Sequence, residues 1–164
     1  MKNLVLVFGI LSTLIVVFHS CRKDHGETDV DKLLFQAINQ DTGYTYYQNG
    51  SVLAGAAASP HGSFKLRYNT IAQSVLDASG ELPAGNSFPT GSVIVKEIMN
   101  GGSINLYAIM KKDPTNQYAE SGWLWAEIKP NGTASFTAAK KGSGCVGCHG
   151  ETPNRDFIRT FDFH

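Results

Sequence analysis

The spacing of apolar and polar residues changes along the chain, and these changes predict its elements. In residues 31–39 (DKLLFQAIN), Leu34, Phe35 and Ile38 recur at helical spacing, which predicts an amphipathic helix. Residues 64–68 (FKLRY) alternate between apolar and polar side chains, as half-buried strands do. The first part of the chain is therefore expected to contribute a helix and then a strand.

A β-hairpin is the clearest pattern in the middle of the chain. Residues 92–99 (SVIVKEIM) are rich in β-branched side chains, residues 100–103 (NGGS) are suited to a two-residue primed turn, and residues 104–111 (INLYAIMK) return. Counting outward from this turn places Lys96 opposite Tyr107. Opposed residues project from the same face, so we expect these two side chains to share one surface.

A further strand is predicted at residues 122–129 (GWLWAEIK), with Trp123 and Trp125 on one face. Weaker patterns predict an aromatic strand or loop at 44–47, a helix from Asn69 or Thr70 to Ala78, a strand at 133–138, and a closing strand or helix at 155–163. The predicted fold class is α+β, mainly β: an antiparallel sheet of about four to five strands with one or two helices.

The strongest chemical signal is the sequence CVGCH at residues 145–149, within a glycine-rich loop. Two thiols three positions apart, followed directly by a histidine, form the attachment motif of a covalent c-type haem. On this interpretation Cys145 and Cys148 add to the haem vinyl groups, and His149 is the proximal iron ligand. The sequence therefore predicts one covalent haem c, bound at the C-terminal loop.

Two other interpretations of the same cysteines stay open. A redox-active CxxC pair would usually lie at the strand-to-helix junction of a βαβ unit. Half of a zinc site would need two more ligands at matching spacing. Neither context is visible in the sequence.

The N-terminus has the pattern of an export signal. A lysine at position 2 precedes an apolar run from Leu4 to Phe18, which is short for a membrane span and suits a secretory signal. The run ends at Phe18-His19-Ser20-Cys21, where a small residue before the cysteine resembles the lipobox of bacterial lipoproteins, although those boxes usually carry leucine where Phe18 stands. The chain has three cysteines, of which the haem motif takes two. We expect Cys21 to be acylated; an ordinary signal peptide with a stray thiol is the alternative.

Composition and charge narrow the possible partners and the domain count. Lys plus Arg and Asp plus Glu both number 14, so the formal net charge is zero and no nucleic-acid partner is indicated. The length of 164 residues suits one domain. We divide the chain into a signal peptide at 1–20, a tether at 21–30 and a haem domain at 31–164. An exported protein is expected, periplasmic or anchored to the outer membrane through its lipid.

Several motifs, taken in order, are similar to those of a known family. TGSVIVKE, then LYAIMKKD, then a tryptophan-bearing strand and finally CVGCHG resemble the cytochrome P-460 family, which includes the cytochromes called c-prime-beta. The resemblance covers roughly residues 44–163. It implies a small antiparallel β-sheet protein, often a homodimer, with a c-type haem whose distal side is open. Some members oxidise hydroxylamine and similar nitrogen species, while others bind nitric oxide and carbon monoxide.

The resemblance also implies roles for three distal residues. Lys96 matches the lysine of the VKE motif, which is covalently bonded to the haem edge in hydroxylamine-oxidising members. Arg67, in KLRY, is similar to a distal arginine, and Tyr107 stands where those members carry a distal glutamate. A tyrosine, with a pKa of about 10, is a poor general base near neutral pH. We therefore expect Tyr107 to donate a hydrogen bond to a bound ligand instead.

Each candidate also has a purely structural interpretation. Lys96 can extend from an apolar face into solvent, and Arg67 can lie on a solvated face. His61 is more typical of a turn or packing residue than of a sixth iron ligand. Met99 and Met110 are core residues by default.

Three functions fit the sequence. An enzyme would oxidise hydroxylamine and pass electrons to a partner cytochrome. A binding module would hold nitric oxide or carbon monoxide at a five-coordinate haem. An electron carrier would have a methionine or histidine opposite His149. Because Tyr107 replaces the carboxylate, we expect binding or weak redox chemistry ahead of efficient oxidation.

Overall fold

The protein is described from a computed structural model that covers residues 28–39, 43–56 and 59–163. The predicted signal peptide, Cys21 and residues 21–27 of the tether lie outside the described residues. In the described part of the chain, no helix is long and apolar enough to cross a membrane.

One open antiparallel sheet forms the body of the protein, and its six strands neighbour one another in chain order. The strands are β1 (Tyr44–Tyr46), β2 (Phe64–Asn69), β3 (Val93–Asn100), β4 (Ser103–Lys112), β5 (Trp123–Ile128) and β6 (Ala134–Phe136). The helices are α1 (Asp29–Asn39), α2 (Thr70–Gln73), α3 (Val146–His149) and α4 (Thr160–Phe163). Short 3-10 turns occupy Tyr47–Gly50 and Ala138–Lys140.

The predicted class, α+β and mainly β, is confirmed. The sheet has six strands rather than four or five because Tyr44–Tyr46 pairs with β2 as an edge strand. Asn69 caps α2 as predicted, since its side chain accepts a hydrogen bond from the Ala72 amide at 3.0 Å. The helix ends at Gln73 and not at Ala78.

Each face of the sheet has its own hydrophobic core, because alternate residues of a strand project to opposite sides. We call the two sides the cavity face and the helix face. The cavity face carries Phe64, Leu66, Tyr68, Ile94, Met110, Trp123 and Trp125, packed with Ile158 and Phe161 from the C-terminal segment. The helix face carries Val93, Val95, Ile109, Leu124, Ala126 and Ile128, packed with Leu34 and Ile38 of α1. The predicted division of β5 into a tryptophan face and an aliphatic face is confirmed.

Helix α1 is fixed at its start by a capping box. The Thr28 hydroxyl accepts a hydrogen bond from the Asp31 amide at 3.2 Å, while the Asp31 carboxylate accepts one from the Thr28 amide at 2.6 Å. The buried Asp31 carboxylate also accepts a hydrogen bond from the Ala138 amide at 2.8 Å. Asp31 therefore joins α1 to the turn that leads into the CVGCH loop.

The β3–β4 hairpin corrects the predicted register. Asn100 does pair with Ser103, across a turn in which Gly101 and Gly102 both have positive φ. A β-bulge follows the turn: Met99 pairs with Ile104 but Ile98 pairs with Leu106, so Asn105 is an extra residue in β4. Beyond the bulge, Glu97 pairs with Tyr107 and Lys96 pairs with Ala108. Because of this one extra residue, every later side chain of β4 lies on the opposite face from the one predicted by counting outward from the turn. The expectation that Lys96 lies opposite Tyr107 is therefore wrong.

Candidate functional site

The CVGCH motif lies in a tight loop and a single helical turn over the cavity face. The Cys145 amide donates a hydrogen bond to the Gly142 carbonyl at 2.7 Å, and the His149 amide donates one to the Cys145 carbonyl at 3.0 Å. Gly142 has φ +62°, and a Cβ there would lie 2.7 Å from the Trp125 ring. Glycine is required at this position because the loop backbone approaches the sheet so closely. Both motif thiols, Cys145 and Cys148, are free.

His149 is held as a metal-binding histidine usually is. Its Nδ1 lies 2.7 Å from the Phe157 carbonyl oxygen, which can only accept, so Nδ1 carries the hydrogen and Nε2 keeps its lone pair. The ring meets Trp125 edge-on, with centroids 5.1 Å apart. Burial lowers the pKa of His149, and the nearby Lys96 and Arg159 charges add to this effect, while the hydrogen bond with the Phe157 carbonyl opposes it. A neutral imidazole with its second nitrogen bonded to a backbone carbonyl is the form that ligates metals.

The Phe157 carbonyl, which orients His149, is held in place by contacts of the residues just before it in the chain. Asp156 pairs with Lys112 of β4 at 2.8 Å and accepts a hydrogen bond from the Phe88 amide at 2.8 Å. Arg155 pairs with Glu81 at 3.1 Å. These contacts attach the C-terminal segment to the sheet and so set the position of the Phe157 carbonyl.

A cavity of about 630 Å³ separates the motif from the sheet. This volume lies within the roughly 300–1,000 Å³ that is typical of cofactor sites. Cys145, Cys148 and His149 line one side, and β3, β4 and β5 contribute Lys96, Ala108, Met110, Trp125 and Glu127. Two free thiols, an oriented imidazole and a mainly apolar cavity beside them fit a c-type haem.

Lys96 lies in the wall of this cavity as a partly buried cation. Its ammonium lies 4.0 Å from the centre of the Phe64 ring. Burial lowers the pKa of Lys96 to about 8, although the nearby Cys148 raises it. Lys96 therefore shares the cavity with the haem motif, and its neutral form is more accessible than that of an ordinary lysine.

Glu127 is a cavity residue that the sequence interpretation missed. Lys96 pairs with Ala108, and Ala108 pairs with Glu127, so the three lie in one row across the sheet. Lys96 and Glu127 are two strand spacings apart, or roughly 10 Å between Cα atoms. Burial raises the pKa of the Glu127 carboxyl. The alternation of β5 was the available signal, because Glu127 follows Trp123 and Trp125 on the same face.

Arg67 and Tyr107 do not line the cavity; both lie on the helix face. Arg67 forms a buried ion pair with Glu97, with Nε and Oε1 2.8 Å apart, and donates a hydrogen bond to the Ile38 carbonyl at 2.9 Å. Tyr107 pairs with Glu97 across the hairpin and packs against the core of the helix face. Their predicted place in a pocket with Lys96 is wrong, because Arg67 opposes Val95 in the register and the bulge turns Tyr107 over.

Two of the remaining sequence candidates, His61 and Met110, line the cavity. The two alternative interpretations of the cysteines find no supporting context: the described strands pair antiparallel throughout, and the described residues contain no cluster of three or more His, Cys, Asp or Glu suited to a metal ion.

An antiparallel sheet with a CVGCH loop closing a cavity over one face fits a small β-sheet cytochrome. The family model for cytochrome P460 matches residues 46–160 of the chain. The chain therefore belongs to the cytochrome P460 family, as its motifs predicted, and the protein is a haem cytochrome of the P460 type. A search of curated proteins found no match.

Proposed function

We propose that this protein is an exported cytochrome with one covalent haem c, which binds and oxidises small nitrogen species such as hydroxylamine or nitric oxide. The observation that carries the proposal is the shared cavity. It brings Lys96 and Glu127 to the same 630 Å³ space as Cys145, Cys148 and His149.

The motif residues would hold and orient the cofactor. The thiols of Cys145 and Cys148 are free for thioether bonds, and the Nε2 of His149 is free for iron because the Phe157 carbonyl fixes the other nitrogen. The bound haem supplies a metal centre at which a small ligand coordinates and electrons are exchanged. The mainly apolar lining of the cavity suits a large apolar ring.

Glu127 is the proposed proton acceptor. Oxidation of hydroxylamine releases protons together with electrons, so the site needs a base near the substrate. Burial raises the pKa of Glu127 toward neutral pH, which makes its carboxylate a better base than an ordinary one. The sequence favoured binding or weak redox chemistry because Tyr107 replaces the carboxylate of the oxidising members. Glu127 supplies a carboxylate to the cavity from another strand.

Lys96 is the proposed haem-edge residue. In hydroxylamine-oxidising members of the family, the matching lysine is bonded to the haem. Here Lys96 lies close enough to Cys148 for that thiol to affect its pKa, and its pKa, lowered to about 8, gives a larger fraction of the nucleophilic neutral amine than an ordinary lysine has. Both features support a position beside the haem edge.

Export and partners belong to the same proposal. A lipid on Cys21 would hold the protein at a membrane surface, where a redox partner cytochrome would accept its electrons. Several acyl chains anchor a protein stably, whereas one chain does not. Homodimerisation is proposed from the family resemblance alone.

Covalent attachment is the first test. The chain is matured in a host that assembles c-type cytochromes, and its denatured mass is compared with that of a Cys145→Ser, Cys148→Ser variant. We expect the parent to carry the added mass of one haem and the variant to lose it completely. A colourless parent with both thiols free would overturn the proposal.

Lys96→Ala tests the haem-edge position. A cross-linked parent has a strongly red-shifted Soret band and a tryptic haem peptide tied to the segment containing Lys96. The variant should then show an ordinary c-type spectrum. Lys65→Ala, on the opposite face of the neighbouring strand, is the matched control and should leave the spectrum of the parent. An unchanged Lys96→Ala spectrum would mean that no cross-link forms.

A further inference from the structure

Trp125 contacts the haem motif from the sheet. Its side chain lies on the cavity face of β5 and is only 3% exposed. The centres of the Trp125 and His149 rings lie 5.1 Å apart, with 78° between the two planes. This is the edge-to-face arrangement that pairs of aromatic rings favour. Trp125 is therefore a direct neighbour of the histidine that is expected to bind iron.

The Trp125 ring is itself held firmly. Its Nε1 donates a hydrogen bond to the Glu120 carbonyl at 3.1 Å, and two backbone hydrogen bonds with Trp123, at 2.9 and 3.0 Å, fix Glu120. The backbone of Gly142 packs against the indole, since a Cβ there would lie 2.7 Å from Cδ1 of Trp125. The Phe157 ring also meets the indole edge-on, with centroids 6.2 Å apart. A buried ring with a satisfied polar atom and close neighbours keeps a single orientation.

The hydrogen bond to the Phe157 carbonyl restrains only part of the His149 ring. This bond, 2.7 Å long, fixes the position of Nδ1 and the nitrogen that carries the hydrogen. A single hydrogen bond leaves the ring able to tilt about the line that joins Nδ1 to the carbonyl oxygen. The packed Trp125 ring opposes this tilt, because a close-packed interior leaves no space for it. The two contacts therefore fix different properties of the imidazole, its tautomer and its plane.

We propose that Trp125 is a positioning residue of the haem site, which fixes the plane of the His149 ring. Groups that orient a metal-binding histidine also tune the metal that it binds. The plane of an axial imidazole decides which iron orbitals it overlaps, so a fixed plane gives every molecule the same electronic environment at the iron. This inference rests on the proposed function, because it requires the haem.

Four matured proteins test this role: the parent, Trp125→Leu, Trp125→Phe and Trp123→Phe. Trp123→Phe is the matched control, because it removes the same atoms from the same face of β5, where Trp123 packs against Phe88 with centroids 5.8 Å apart. Trp125→Phe keeps an aromatic ring and guards against a folding failure of the leucine variant. Haem content is measured as the pyridine haemochrome.

Two spectroscopic measurements separate the plane of His149 from its hydrogen bond. Cyanide is bound to the ferric haem, and the proton NMR shifts of the haem methyl groups are recorded, because their pattern depends on the plane of the proximal imidazole. The iron–histidine stretching frequency of the reduced haem is measured by resonance Raman scattering, because it depends on the hydrogen bond that the imidazole makes.

Trp125→Leu should bind as much haem as the parent but lose the methyl shift pattern of the parent. Its methyl resonances should move and broaden, because the His149 ring takes several orientations, and those of Trp125→Phe should lie between. The stretching frequency should not change, because the Phe157 carbonyl is retained. Trp123→Phe should match the parent in both measurements.

The methyl shift pattern of the parent in Trp125→Leu would overturn this inference, and so would that pattern in Trp125→Phe if the leucine variant fails to fold. An equal change of the pattern in Trp123→Phe would overturn it as well. A shifted stretching frequency in Trp125→Leu would mean that Trp125 acts on the hydrogen bond and not on the plane, which also overturns it. A parent without haem would overturn the proposed function itself.

Discussion

Two pairs of opposite charges, one on each face of the sheet, differ in the distance between their partners. On the helix face, Arg67 and Glu97 are buried against each other 2.8 Å apart, and the Tyr46 hydroxyl lies 3.2 Å from each Glu97 oxygen. On the cavity face, Lys96 and Glu127 occupy one row of the sheet but are separated by Ala108. Arg67 and Glu97 are thus joined on the helix face, whereas Lys96 and Glu127 are held apart in the cavity.

This difference separates stability from chemistry. Buried charges that are paired and hydrogen-bonded fix the packing of the elements around them, and removing one partner is costly. Charges held apart at a cavity have shifted pKa values, lowered for Lys96 and raised for Glu127, and are available to a ligand. Adjacent positions of β3 show both cases, because Lys96 and Glu97 face opposite sides.

The largest expected effect on the cavity face comes from Glu127→Gln. Loss of the proton acceptor should lower the rate of hydroxylamine oxidation by about 10²- to 10⁴-fold, measured by steady-state kinetics with an added electron acceptor. In the parent, this rate should rise as the pH increases through the raised pKa of Glu127. The variant should show no such rise. Glu120→Gln, which removes an exposed carboxylate just before β5, is the control and should behave as the parent.

Glu127→Gln also carries an expected sign for stability. A carboxyl whose pKa is raised on folding stabilises the fold below its unfolded-state pKa, and this contribution is lost as the pH rises through the folded-state pKa. At pH 7 the variant should therefore resist urea slightly better than the parent. A variant that is both fully active and less stable would assign Glu127 to structure instead of chemistry.

On the helix face, Arg67→Ala should affect stability and not the haem. It leaves Glu97 buried without its partner, which should reduce the free energy of unfolding by about 3–5 kcal/mol, measured by urea denaturation. The absorption spectrum of the bound haem should not change. Lys65→Ala, two positions earlier in β2, should cost much less because no buried carboxylate loses its ion pair. A normal unfolding midpoint with an altered spectrum would return Arg67 to the distal pocket.

The smallest effect is expected for Tyr107→Phe. It removes a hydroxyl on the helix face, so stability should fall by no more than about 1.5 kcal/mol. Carbon monoxide and nitric oxide binding, followed by stopped-flow absorption, should match the parent. A clear change in either ligand rate would contradict the register and bring Tyr107 back beside Lys96.

Several parts of the fold and site could be read from local patterns. The α1 periodicity, the turn at Gly101 and Gly102 and the two faces of β5 depend on residues near one another in sequence. The CVGCH motif is equally local, since its chemistry needs only the spacing of two thiols and a histidine. The family was predicted from the order of such motifs, and the match over residues 46–160 confirms it.

The sequence by itself thus determined the fold class, the family and the motif that would hold haem. The tertiary structure alone decided which residues accompany that motif. The extra residue Asn105 exchanges the faces of β4, and only the pairing of three strands brings Glu127 into the row of Lys96. Alternation along a strand is a local property, but register between strands is set by bulges and by packing on both faces, so counting from a turn is not sufficient.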